Sequence, residues 1–140
     1  MSLRGYAPTV EILAAPFQTI DWARVPPTSH LGAPGTATWR TVETGNVRVR
    51  MVEYSNGYVA DHWCERGHVI LVLEGELVTE LRDGRTVTLL PGQTYVVADG
   101  DGAHRSRAPG GARLFIVAPP ANYAALVGSV PHRTRAQIRS

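Results

Sequence analysis

The chain has 140 residues, 44% of them apolar and 19% charged, with a formal net charge of +2. That length closes one hydrophobic core rather than two, and the composition excludes a disordered, collagen-like or disulfide-stapled chain. The basic excess is concentrated in the terminal HRTRAQIRS instead of along a core face, which argues against a nucleic-acid surface and reads as a solvated tail.

The opening MSLRGYAPTVEILAAPF lacks the uninterrupted apolar run of a secretory signal, and no later segment is apolar for long enough to span a bilayer. The single cysteine, Cys64, has no intrachain disulfide partner. A soluble protein of the reducing cytoplasm is expected, with no membrane or nucleic-acid partner.

In chain order, residues 1–36 form an N-terminal arm, because Pro16, Pro26, Pro27, Pro34, Gly32 and Gly35 interrupt every regular period. From Thr36 the pattern changes to short apolar alternations set apart by Gly and Asn turns: TATWRTVETG, NVRVRMVEYSNG, YVADHWC, HVILVLEG, ELVTELRDG, RTVTLLPG, TYVVADG, HRSRA and ARLFIVA. About nine short strands at this spacing predict an all-β barrel or sandwich over residues 37–118. Two turns, at Gly75 and at Asp83-Gly84, are expected to join consecutive strands antiparallel. Residues 119–140 begin PPANYAALVG, which predicts a short helix ending near Gly128, followed by the tail.

The segment DHWCERGH, residues 61–68, holds most of the chemistry. On a continuous strand His62 and Cys64 share a face and Trp63 takes the other, while the bend Glu65-Arg66-Gly67 lets His68 fold back beside them. Imidazole nitrogen and thiolate sulfur suit a borderline or soft divalent ion. The plainer alternative is two surface histidines and a small buried cysteine.

The downstream context resembles the two-part signature of the cupin superfamily. Gly57, His62, Cys64, His68 and Gly75 follow the spacing of its first motif, and Pro91-Gly92 with His104 follow that of its second. The run D-H-W-C followed by G-H is similar to the DHCW-motif cupin-fold branch. The resemblance implies a single-domain double-stranded β-helix, or jelly-roll barrel, with metal ligands His62, Cys64, His68 and His104. A cysteine and a histidine stand where that signature has its second histidine and its glutamate, so the ligand chemistry of iron or manganese cupins does not carry over. Zinc suits this set best by softness, with iron or nickel as alternatives. The resemblance also implies a homodimer and a small-molecule ligand in the barrel.

In VRVRMVEY, Val47, Val49 and Met51 alternate with Arg48, Arg50, Val52 and Tyr54. If the second set faces inward, Arg48 and Arg50 bind a substrate carboxylate or phosphate by bidentate contacts and Tyr54 contacts substrate with Arg50; the cost of burying unpaired arginines favours a solvated face instead. Tyr95 is placed to reach the metal or a substrate, with core packing as the alternative. Asp61, of opposite parity to His62, is expected to miss it, and His30 and His132 fall outside the motif. No catalytic residue is assigned. A metal-dependent cupin enzyme on a small polar substrate competes with a non-catalytic ligand-binding or metal- or redox-sensing barrel and with a site that only staples the fold; four protein ligands would weaken the enzyme reading by completing a tetrahedron.

Overall fold

β-branched and aliphatic residues at period two, punctuated by glycines free to take positive φ, generate ten strands in the computed structural model, which describes residues 11–120. In chain order these are β1 (Thr28–Leu31), β2 (Thr36–Thr44), β3 (Val47–Tyr54), β4 (Tyr58–Val59), β5 (His68–Gly75), β6 (Leu77–Leu81), β7 (Thr86–Leu89), β8 (Thr94–Val97), β9 (His104–Ala108) and β10 (Ala112–Ala118). One sheet has the order β1-β2-β3-β10-β5-β8 and the other β4-β9-β6-β7, with every pairing antiparallel. The expected all-β jelly roll is the fold observed. The predicted C-terminal helix and His132 lie outside the described residues.

Three expectations are revised. The arm supplies a strand, β1, paired with β2, although its prolines and glycines mask the period. The turn at Gly75 is not a hairpin: β5 and β6 belong to different sheets, so the chain changes sheet there. Gly75 has φ 77°, and a Cβ would run into the Gly111 carbonyl, so the crossing requires glycine. Asp83-Gly84, by contrast, does close a hairpin between β6 and β7. Finally, YVADHWC is a strand only at Tyr58–Val59.

Alternating side chains of the two sheets meet in a core of Val52, Ile70, Val72, Leu77, Leu89, Ala108, Ala112 and Leu114. Trp39, Val52, Leu114 and Val72 form one layer across the larger sheet by register. The next layer along the strands is Thr41, Arg50, Ile116, Ile70 and Tyr95. The interior thus turns from apolar to polar toward one end, which is where the cavity lies.

Candidate metal centre

Cys64 is fixed by two backbone hydrogen bonds exchanged with His104: its N–H donates to the His104 carbonyl at 2.7 Å and its carbonyl accepts at 2.9 Å. Opposed residues of such a pair point to the same face, so sulfur and imidazole are brought together. His68 opens β5 beside them. Its loop is clipped in place, with Gly67 N–H donating to Asp99 Oδ1 at 2.6 Å and Gly100 N–H donating to the Glu65 carbonyl at 3.0 Å. One ligand atom each from Cys64, His68 and His104 lies within 4.8 Å of the others.

His62, expected as a fourth ligand, is not in this group. Its side chain is 75% exposed, and its Nδ1 sits 2.7 Å from Asp61 Oδ1, a contact that strand parity had argued against. The register explains both. β4 pairs Tyr58 with Ala108 and Val59 with Arg107, a progression that leads His62 to His104; instead Cys64 takes that place, so the chain bulges by two residues. An even insertion preserves the inward parity of Cys64 and leaves His62, mostly exposed, at the border of the cavity and outside the donor group. Trp63 on this bulge meets the guanidinium groups of Arg82 and Arg105, each 4.7 Å from its ring centroid.

His104 is 3% exposed, and neither ring nitrogen meets a hydrogen-bond partner among the described residues; the Gly102 carbonyl favours the charged ring without reaching bonding geometry. Burial lowers its pKa, and that of His68 falls to about 4 through burial, then the neighbouring His104 and Arg48. Both rings are therefore neutral at pH 7, the form that ligates metal. The Tyr95 hydroxyl is 3.0 Å from His68 Nε2 and orients that ring. Burial raises the Tyr95 pKa to about 12, against the opposing hydrogen bonding of Ser106 and Thr79, so the phenol keeps its proton. A buried imidazole with two unpartnered nitrogens, next to a thiol and a second neutral imidazole, fits a divalent ion on donor chemistry.

The three donors border a cavity of about 260 Å³. Arg48, Arg50, Tyr54 and Tyr95 line it, so the Arg-bearing face of β3 looks inward rather than to solvent. Burial is tolerated because Arg50 lies over the Trp39 ring at 4.0 Å and its Nε donates to Thr41 Oγ1 at 2.9 Å. Burial, then Arg48, lowers the Arg50 pKa to about 10, leaving it cationic at neutral pH. Tyr54 is stacked on Tyr58 at 4.2 Å, and burial raises its pKa. Sequence reasoning did not single out Tyr58 or Arg66, which also line the cavity; the position of Arg66 between two ligand candidates was the available signal.

No family model matches the sequence, and no curated protein is significantly similar to it. Solved structures do match. Ectoine synthase from P. lautus superposes with a TM-score of 0.63 at 17% identity, covering 81% of this chain and 86% of that one. A protein described as a sugar phosphate isomerase from a cupin superfamily, from Silicibacter pomeroyi, gives 0.60 at 16% identity over 74% and 76% of the two chains. An RmlC-like cupin from Shewanella frigidimarina gives 0.59 at 18% identity over 81% and 99%. The chain has the cupin fold. At these identities the likeness extends to the cupin architecture and no further, so the reactions of those proteins are theirs.

Proposed function

We propose that the protein is a metal-dependent cupin enzyme in which Cys64, His68 and His104 hold one divalent ion and a small polar molecule binds in the adjoining cavity. The carrying observation is the convergence of these three donors around a buried His104 ring whose nitrogens have no hydrogen-bond partner among the described residues. Zinc suits one thiolate and two imidazoles. With His62 outside the group, three protein ligands leave a coordination position open toward the cavity, the arrangement of catalytic rather than structural zinc sites. Such an ion supplies Lewis acidity to a bound oxygen and lowers the pKa of bound water. Arg50 and Tyr54 orient the substrate, and Tyr95 holds His68 while offering a protonated hydroxyl. The D-H-W-C wording suggests the DHCW-motif branch and brings no reaction with it.

The test is elemental analysis of purified protein, followed by chelation and reloading. One ion per chain is expected, with Cys64→Ser and His104→Ala losing most of it and His62→Ala keeping it. Stoichiometry unaffected by Cys64→Ser would overturn the reading. A non-catalytic redox-sensing cupin is the second reading, favoured by the partial exposure of Cys64; it requires the ion to be released by mild peroxide and no turnover in the loaded protein.

The homodimer belongs to the same proposal. Val69 and Val96 stand opposite each other on the outer face of edge strand β8 and its neighbour, 39% and 74% exposed. Val96→Lys is expected to convert a dimer to monomer in light scattering; a monomeric parent protein would refute this part alone.

A further inference from the structure

Four arginines, Arg48, Arg50, Arg66 and Arg105, share the cavity with the donor group, and no aspartate or glutamate among the described residues lines it. Arg48 and Arg50 project from the inner face of β3, two residues apart, and Arg66 comes from the bend between Cys64 and His68. They act on one another: after burial, Arg66 is the largest influence lowering the Arg48 pKa, and Arg48 the largest lowering that of Arg50. The opposing influence on both comes first from Glu43, opposite Arg48 in the β2–β3 register and outside the cavity lining, and then from Cys64 on Arg48 and Tyr54 on Arg50. Of these four, Arg105 already reaches a carboxylate, that of Glu80; elsewhere Arg107 also reaches Glu80, Arg113 reaches Glu53 and Glu74, and Arg85 reaches Asp83. Arg50 and Arg66 instead donate to neutral oxygens, of Thr41 and Pro120.

Gathering like charges in a half-buried space costs free energy unless an anion completes it. The geometry is prepared for one. Arg50 is held flat between its Thr41 hydrogen bond and the Trp39 ring, which is itself stacked on His30 at 3.7 Å. With Nε engaged, the terminal nitrogens are left to offer paired donors, the arrangement that matches the two oxygens of a carboxylate or phosphate. The cavity volume of about 260 Å³ is below the usual range for drug-sized ligands, which restricts the occupant to a small molecule.

We propose that Arg48, Arg50 and Arg66 form an oxyanion-binding subsite, so that the molecule taken by the cavity is a small carboxylic acid or phosphate ester with its polar end directed at Cys64, His68 and His104. The proposal names the substrate class for the metal centre above and in that respect rests on it. It also makes a claim that stands without the ion, since the arginines are in place whether or not the donors are loaded.

Calorimetric titration in phosphate-free buffer tests it, with inorganic phosphate in one arm and malonate in the other, on cobalt-loaded and chelated protein. Saturable binding of at least one probe is expected, the stronger arm distinguishing phosphate from carboxylate recognition. Arg50→Gln and Arg66→Gln should each weaken it roughly tenfold, the worth of about one charge-assisted hydrogen bond, while Arg113→Gln leaves it unchanged. Arg66 sits on an exposed bend, so its replacement does not endanger folding. No saturable binding of either probe, or equal binding by parent, Arg50→Gln and Arg66→Gln, overturns the proposal. The thiolate-to-cobalt absorption, read on the same samples, separates the two readings: anion binding without that band defeats the metal centre alone, and the band without anion binding defeats the subsite alone.

Discussion

At the scale of single residues, the site depends on keeping two imidazoles neutral in a cationic interior. His68 is held near a pKa of about 4, below the ordinary 6.5, by burial first and then by His104 and Arg48. The folded, metal-free protein therefore binds fewer protons than the unfolded chain in this window. Stability is full above about pH 6.5 and is lost as pH falls through about 4, by about 3 kcal/mol from this ring. Denaturant unfolding of chelated protein at pH 7 and pH 4 should show that loss, and His68→Gln should remove much of it; an unchanged slope would mean that His68 is solvated. Cys64, His68 and His104 were all legible as candidates from residue type and spacing. The inward turn of Arg48 and Arg50 was not, because desolvation cost alone favoured solvent; for Arg50 the tertiary pairing with Trp39 and Thr41 offsets it.

Elements decide which candidates meet. β9 carries His104 and pairs with Cys64 at the end of the segment that starts as β4, and the two-residue bulge between them replaces His62 by Cys64 opposite His104. A period-two reading of YVADHWC places both residues on one face, and it fails because the strand breaks after Val59. No single residue in that run announces a bulge. Gly67 governs the other arm of the site: a Cβ there would come within 2.6 Å of the Asp99 nitrogen, displacing the loop that launches His68. Gly67→Ala should lower metal affinity about tenfold, the usual penalty for disturbing the support of a ligand. Competition with a metallochromic chelator measures it; parent-like affinity would show that the loop yields without moving His68.

For the whole molecule, composition and turn spacing were enough to reach an antiparallel β-barrel or sandwich, and the cupin fold was implied by the resemblance of Gly57, His62, Cys64, His68, Gly75, Pro91-Gly92 and His104 to that superfamily's two-part signature. What the sequence concealed was which turns close hairpins and which change sheets. Gly75 and Gly84 look alike as turn glycines, yet only the first must pass beside a backbone carbonyl at a crossing. The layered interior then assigns roles by depth: an apolar floor of Val52, Leu114 and Val72, a middle layer with Arg50 and Tyr95, and above it the thiol and imidazoles beside Arg48. X-ray absorption at the zinc edge of the loaded protein tests the centre most directly. One sulfur near 2.3 Å and two imidazole nitrogens near 2.0–2.1 Å are predicted, with a light oxygen scatterer completing the shell and the pattern unchanged in His62→Ala. A shell of nitrogen and oxygen alone, or loss of an imidazole in His62→Ala, would contradict the assignment of Cys64, His68 and His104.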